Sequence, residues 1–176
     1  MVRRRLRWLV WGWMIAVSSA IPLPACAARA AAIVSDRWLN SRPLGAPDLE
    51  GKVVLVEFWT FGCLNCIRTI PAMQTLHASY PTSEVVLVGV HSPEFARERD
   101  ARNLEQAIER RGARYAVAID NDFKNWRAYH NHYWPALYVV DHHGVIRHRQ
   151  VGELHQGTPA WDELLGWIER LRKEPA

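Results

Sequence analysis

Two cysteines separated by two residues are the part of this 176-residue chain best suited to chemistry. Cys63 and Cys66 form a Cys-Leu-Asn-Cys motif whose members lie too close together to staple distant parts of a fold. Such a pair is either a redox couple or half of a metal site, and an inert disulfide is the structural alternative. The only other cysteine, Cys26, is near the N-terminus, so cleavage of a leader after it would leave the pair alone.

The motif falls where a predicted strand meets a predicted helix. Residues 52–59 are β-branched and aromatic, which indicates a buried strand, and apolar residues over 63–79 recur at helical spacing. Free N–H groups and the helix dipole stabilise a thiolate at a helix N-terminus. We therefore predict that Cys63, at the tip, is the exposed nucleophile and that Cys66, one turn further, is the buried resolving thiol.

Glu57 interrupts the predicted strand and is a candidate catalytic acid or base. An unpaired carboxylate in a buried apolar run is costly, and burial raises its pKa. We predict that Glu57 exchanges a proton with Cys66 during thiol chemistry. The alternative interpretation is a charge at the edge of the sheet that faces solvent.

The remaining elements alternate between strands and helices. Pro71 predicts a kink in the helix that follows Cys63. After this helix the pattern predicts strands over 85–90 and 115–119 and helices over 98–111 and 122–130. A hairpin of 136–141 with 145–151 and a last helix after Thr158 complete the chain. Strands separated by helices pair in parallel through crossovers, and a hairpin adds an antiparallel edge. The sequence predicts an α/β fold with a mixed sheet sandwiched between helices.

The N-terminus has the composition of an export signal. A basic start is followed by an apolar run of residues 8–21 and then by small residues, with candidate cleavage sites after Ala27 and Ala30. We predict a signal peptide over 1–30, an approach segment over 31–51 and a folded domain over 52–176. An uncleaved anchor and lipidation at Cys26 are the alternatives. Without residues 1–30 the chain has 17 basic and 18 acidic residues, which argues against nucleic-acid binding.

Several segments resemble the thioredoxin superfamily. Residues 57–66 are similar to its strand-to-CxxC signature, Pro71 to the proline of its active-site helix, and residues 133–135 to its cis-proline loop. Residues 90–95 and 131–136 resemble the soluble domain of DipZ-type proteins, within the exported TlpA/ResA-type branch. The resemblance covers about residues 40–170. It implies a thioredoxin fold, with a mixed sheet of four or five strands flanked by helices on both faces, and thiol–disulfide oxidoreductase activity.

The resemblance also implies roles for residues around the cysteines. Pro135 would form a cis peptide bond that exposes backbone atoms to a substrate strand, and Trp59 and Trp134 would form an apolar rim around the sulfurs. Glu57 lies at the buried-acid position of the family. The family and the uncharged Leu-Asn dipeptide favour a reductase over an oxidase.

Partners and location are implied in the same way. The expected substrates are envelope proteins with disulfides, met by a monomer in the periplasm or on the extracytoplasmic face, without a bound cofactor or metal. DipZ-type proteins also carry a membrane electron-transfer part, which we do not expect within these 176 residues. A separate membrane electron donor of the DsbD/CcdA type is therefore the expected partner.

Two other functions are compatible with part of the pattern. A copper-binding chaperone on the same fold would use the cysteines with His130 or His132, although copper carriers of this kind resemble a CxxxC pattern. A peroxidase would need threonine and arginine partners for its cysteine, and we identify no such set. Cu(I) binding measured against disulfide turnover separates the chaperone from the oxidoreductase.

Overall fold

The computed structural model describes residues 28–175, so the predicted signal peptide lies almost wholly outside the described residues. The elements in chain order are β1 (Trp38–Leu39), α1 (Ala46–Leu49), β2 (Val53–Trp59), α2 (Leu64–Ser79), β3 (Val85–His91), a 3₁₀ turn (Ala96–Arg99), α3 (Ala101–Arg111), β4 (Ala116–Ile119), α4 (Lys124–Ala128), β5 (Ala136–Val140), β6 (Ile146–Val151) and α5 (Pro159–Lys173).

One mixed sheet organises these elements, with the strand order β1-β4-β3-β2-β5-β6. Strands β2, β3 and β4 are parallel, whereas β5 runs antiparallel to β2, and β6 antiparallel to β5. The parallel neighbours are joined by the crossover helices α2 and α3, as parallel pairing requires. The predicted thioredoxin-like α/β fold is confirmed, with six strands rather than four or five.

The additional strand is β1, which lies in the segment predicted to be an approach to the domain. Trp38 and Leu39 pair antiparallel with Ala118 and Val117 of β4. A strand of two residues is too short to show an alternating pattern, so the sequence could not reveal it. The approach segment therefore contributes an edge to the same sheet.

Strand β2 lies between β3 and β5, and its alternating side chains enter two different cores. Leu55 and Trp59 pack with α2, α3 and α5 on one face, while Val54 and Phe58 pack on the opposite face. Because side chains alternate along a strand, Glu57 points to the same face as Leu55 and Trp59. The one acid of the strand therefore faces the helix that carries the cysteines.

Helix α2 begins directly after Cys63, which has extended backbone angles and serves as the N-cap. Its apolar stripe, including Ile70, Met73 and Leu76, is buried against the sheet, as the sequence predicts. The helix runs through Pro71 to Ser79. Since proline has no N–H, one backbone hydrogen bond is missing there without ending the helix.

The helix predicted over 98–111 begins later in the structure. Asp100 is the N-cap, and its carboxylate accepts a hydrogen bond from the backbone N–H of Arg102 at 2.8 Å. The preceding residues form the 3₁₀ turn, so Glu98 lies outside the helix and is buried. Asp competes well for an N-cap position, and this explains the later start.

The N-terminal end of the described chain is hydrogen-bonded to the β5–β6 hairpin. The N–H of Ala30 donates to the carbonyl of Gly144 at 2.8 Å, and the N–H of Ile146 donates to Ala28 at 2.9 Å. Gly144 has a φ of 76°, which the tight hairpin turn requires. Within residues 28–175, no helix has the length and apolar character needed to cross a membrane.

Gly89 is a position in the core where the packing leaves no room for one added carbon. A Cβ at Gly89 would lie 2.8 Å from Trp59 Nε1 and 2.9 Å from Tyr115 Cε2, and both rings are buried. We predict that Gly89→Ala lowers the free energy of unfolding by about 1–3 kcal/mol, because the core has no room for the methyl group. Urea denaturation measures the change.

The matched control is Gly166→Ala in α5, where a Cβ would meet no atom within 4 Å. This variant should raise the free energy of unfolding by roughly 0.5–1 kcal/mol, because alanine is the better helix former. A Gly89→Ala protein as stable as the wild type would contradict the close packing of Trp59 and Tyr115 against β3.

Candidate active site

The two cysteines occupy the first turn of α2 in different environments. Cys63 is partly exposed, Cys66 is completely buried, and both are free thiols. The Sγ atom of Cys63 accepts a hydrogen bond from the backbone N–H of Cys66 at 3.3 Å. This bond uses one of the helix N–H groups that lack a partner within the helix. The sulfur of Cys63 is therefore held against the N-terminal end of α2.

Cys66 cannot ionise easily where it lies. Burial raises the pKa of its thiol far above the usual range, and its contact with Cys63 and the charge of Glu57 raise the pKa further. Thiol exchange requires the thiolate as the attacking group. A second attack by Cys66 therefore needs a proton acceptor beneath the helix.

Glu57 is the carboxylic acid that the fold places under this helix. It is completely buried in β2, and its paired neighbours in the sheet, Gly89 on β3 and Leu137 on β5, are not titratable. Burial raises the pKa of Glu57 to about 7, against the smaller opposing effect of a hydrogen bond from Tyr115. A group that is half ionised near neutral pH is suited to accept and release a proton.

The two oxygens of the Glu57 carboxyl group have different surroundings. The hydroxyl of Tyr115 donates to Oε2 at 2.9 Å, whereas Oε1 has no hydrogen-bond partner in the described part of the chain. Burial raises the pKa of Tyr115, and the charges of Glu57 and Cys66 raise it further, so the three groups form one electrostatic cluster. One oxygen of the Glu57 carboxyl group is therefore without a hydrogen-bond partner among the described residues.

Tyr115 is a site residue that the sequence did not reveal. It precedes β4 and is fully buried, and its apolar neighbours in the sequence indicate only a core position. Its contact with Glu57 joins residues 58 positions apart, so no local pattern could have predicted it. The absence of a side chain at Gly89 makes room for the ring.

The loop before β5 lies across from Cys63. The Trp134–Pro135 peptide bond is cis, and the carbonyl oxygen of Trp134 lies 3.9 Å from Cys63 Sγ, at which distance the thiol donates a weak hydrogen bond to it. The indole N–H of Trp134 donates to the carbonyl of Ser92 at 3.0 Å, and its ring packs on Trp126. The backbone of this loop is thus held beside the reactive sulfur.

Trp59 does not lie on the rim of the site, in contrast to the expectation from the resemblance. The side chain is buried in the core, where it contacts His91 edge-to-face at 5.4 Å and closes against Gly89. Strand parity explains this position, because Trp59 points inward with Leu55 and Glu57. Trp59 supports the site from beneath and presents no surface to a substrate.

Exposed apolar side chains are found on three different segments near the cysteines. Leu64 follows Cys63 and is 57% exposed, Tyr133 precedes the cis-proline pair and is 57% exposed, and Phe95 is 49% exposed. Phe95 lies close to Gly62, since a Cβ there would be 3.3 Å from its ring. The apolar surface around Cys63 therefore comes from Leu64, Phe95 and Tyr133, with Trp134 partly exposed among them.

The histidines proposed as copper ligands do not meet the cysteines in a cluster. His130 and His132 are both exposed on the loop before Trp134. Within residues 28–175, no group of three or more His, Cys, Asp or Glu side chains is placed to hold a metal ion. No observation on the described residues favours metal carriage over thiol chemistry.

The raised pKa of Glu57 makes a prediction about stability. Between pH 4.5 and 7 the folded state keeps a proton that the unfolded state has lost, so the free energy of unfolding falls as the pH rises. We predict that the wild type loses about 2–3 kcal/mol relative to Glu57→Gln between pH 4 and pH 8. Urea denaturation of both proteins at these two pH values gives the comparison.

The comparison of the wild type with Glu57→Gln also controls for the other titrating groups, because both proteins contain them. Burial also lowers the pKa of His91, to about 4, but His91 is present in both proteins and its effect cancels. Free energies of unfolding that run parallel with pH would mean that Glu57 titrates in the folded protein as it does in water.

Comparisons with known proteins agree with this geometry. Residues 38–149 match the AhpC/TSA family. The chain is 40% identical over 119 residues to protein DipZ of Mycobacterium tuberculosis, which covers 66% of this chain and 17% of the relative. It is 29% identical over 138 residues to the thiol–disulfide oxidoreductase ResA of Halalkalibacterium halodurans, covering 77% and 72%.

A solved structure shows the same architecture. A thiol–disulfide isomerase from Corynebacterium glutamicum superposes with a TM-score of 0.71 at 26% identity and covers 83% of this chain and 98% of that one. These comparisons confirm the resemblance predicted from the sequence. The chain spans only about a sixth of the length of the DipZ relatives that it matches.

Proposed function

The chain belongs to the AhpC/TSA family of thioredoxin-like proteins, and from this premise we propose that it is a thiol–disulfide oxidoreductase that reduces disulfides of exported proteins. The observation that carries the proposal is the pairing of a buried thiol, Cys66, with a buried carboxyl group, Glu57, that titrates near neutral pH. This pairing gives the second cysteine the base that it needs.

The reaction consists of two successive displacements. The thiolate of Cys63 attacks one sulfur of the substrate disulfide, and the other substrate sulfur leaves as a thiolate. Cys66 then gives its proton to Glu57 and attacks Cys63 Sγ, which breaks the mixed disulfide and releases the second substrate sulfur. Two electrons pass from the protein dithiol to the substrate, and the protons follow to the released sulfurs.

Substrate binding is assigned to the surface around Cys63. The cis-proline loop holds the Trp134 carbonyl beside the sulfur, where it can accept a hydrogen bond from an extended substrate backbone. Leu64, Phe95 and Tyr133 offer apolar contacts to side chains next to the substrate cysteine. Pro135 itself is buried and fixes the turn.

Export and an external electron source complete the proposal. The basic and apolar leader supports cleavage and release outside the cytoplasm. Cleavage after Ala27 would keep the hydrogen bonds that Ala28 and Ala30 make to the β5–β6 hairpin, so this site is favoured over cleavage after Ala30. The oxidised protein then needs reduction, for which we propose a membrane donor of the DsbD/CcdA type.

Trapping of mixed disulfides tests this function. We predict that Cys66→Ser remains covalently attached to a disulfide substrate such as insulin, because the resolving attack is lost. Wild-type protein should instead reduce insulin in the presence of dithiothreitol and leave no adduct. Non-reducing electrophoresis and mass spectrometry of the adduct measure the difference.

Cys63→Ser serves as the control and should neither trap nor reduce the substrate. Trapping by Cys63→Ser alone would reverse the roles of the two cysteines. Absence of insulin reduction by the wild type together with absence of any adduct would contradict the proposed function.

A further inference from the structure

A second buried acid lies next to the active-site cysteines and is not used by the mechanism above. Glu98 belongs to the 3₁₀ turn after β3 and is 1% exposed. Its Oε2 atom accepts three hydrogen bonds, from the hydroxyl of Thr60 at 2.7 Å and from the backbone N–H groups of Glu94 at 2.7 Å and Phe95 at 3.0 Å. The side chain is therefore held in one position.

The other oxygen of Glu98 is directed at the residue before Cys63. A Cβ at Gly62 would overlap Glu98 Oε1 and lie 3.0 Å from Glu98 Cδ. The backbone of Gly62 is not in the left-handed region, so conformation does not demand a glycine there. What excludes a side chain at position 62 is the carboxyl group, which approaches the backbone one residue from the nucleophile.

The hydrogen-bond pattern fits an ionised Glu98. Oε2 receives three donors, and Oε1 has no partner in the described residues to which a carboxyl proton could be donated. No ion pair within residues 28–175 involves Glu98, so its charge has no cationic partner among them. The backbone and hydroxyl donors stabilise the anion without neutralising it.

His91 is adjacent to this group but does not supply a positive charge. Its Nε2 atom is 3.3 Å from the Thr60 hydroxyl, which already gives its proton to Glu98, so Nε2 is the donor to Thr60. The imidazole is buried, and burial lowers the pKa of His91 to about 4. His91 therefore brings no cation to the carboxyl group of Glu98.

We propose that the Glu98 carboxylate, held against Gly62 at the N-terminal end of α2, opposes the thiolate form of Cys63 and so makes the Cys63–Cys66 dithiol a stronger reductant. Because Glu98 is buried, solvent screens its charge only weakly where the carboxyl group approaches Gly62. Glu98 is thus a positioning residue that acts through the electrostatics of Cys63. The inference rests on the proposed oxidoreductase function and assigns its direction.

The consequence for the redox equilibrium follows from the balance of the reaction. The protein disulfide takes two electrons and two protons from two glutathione molecules, which become glutathione disulfide, and the protein becomes a dithiol. An interaction that destabilises the thiolate of the reduced form shifts this equilibrium toward the protein disulfide. Removal of the Glu98 charge should shift it back toward the dithiol.

Equilibration with glutathione tests the proposal directly. Wild type, Glu98→Gln and Glu94→Gln are incubated at pH 7.5 over a series of glutathione ratios, and the fraction of dithiol is read from the mass after alkylation. At a fixed ratio of reduced glutathione squared to glutathione disulfide, Glu98→Gln should raise the ratio of dithiol to disulfide about fivefold, which corresponds to about 20 mV for a two-electron couple. Glu94 is an exposed acid of the same segment, so its variant should match the wild type.

Each other outcome decides against one of the two proposals. If Glu98→Gln and the wild type have the same equilibrium ratio while both reduce insulin, the role of Glu98 is wrong and the oxidoreductase function stands. If the wild type does not exchange with glutathione, the oxidoreductase function itself is wrong. If Glu98→Gln does not fold, Glu98→Asp is used instead, because its shorter side chain withdraws the charge from Gly62. An unchanged ratio of dithiol to disulfide in Glu98→Asp would overturn the role of Glu98.

Discussion

The active site depends on the burial of two proton-carrying groups, the thiol of Cys66 and the carboxyl group of Glu57, in the same part of the core. Cys66 is buried in the first turn of α2 and Glu57 is buried on β2, and burial raises the pKa of both groups. Neither is readily ionised alone, but a proton that leaves the thiol can remain on the carboxyl group. In the function that we propose, Glu57 is the proton acceptor for the resolving attack of Cys66.

The cost of burying Glu57 explains several neighbouring features. Tyr115 donates a hydrogen bond that stabilises the charged form, which limits how far burial can raise the pKa of Glu57. The rings of Tyr115 and Trp59 can pack against β3 only because Gly89 has no side chain. The same packing removes Trp59 from the surface, so the apolar contacts available to a substrate come from other segments. The buried carboxyl group of Glu57 thus constrains which residues can pack around it in the core.

Local patterns in the sequence predict the elements and the two cysteines, whereas tertiary contacts determine the rest of the site. Glu57 was predicted to be buried because it stands alone in an apolar strand, and the structure places it there. Tyr115 could not be identified, since its partner is 58 residues away and its neighbours indicate only core. Glu98 falls within the helix predicted over 98–111, because the pattern does not show that Asp100 caps the helix and leaves Glu98 in a buried turn. Sequence periodicity predicts which face of a helix or strand is apolar. It does not predict which polar side chain of a loop is buried in the core.

The most direct test of the account is the rate at which Cys66 resolves a mixed disulfide, measured from pH 5.5 to 9 in wild type and Glu57→Gln. With a chromogenic aryl disulfide, the first thiol release reports attack by Cys63 and the second reports attack by Cys66. We predict that the rate of the second release in the wild type rises as the pH passes through 7, where Glu57 ionises. In Glu57→Gln this rise should be absent, and the second release should be roughly tenfold or more slower than in the wild type near neutral pH. The first release should be similar in both proteins, and superimposable profiles for the second release would contradict the role of Glu57.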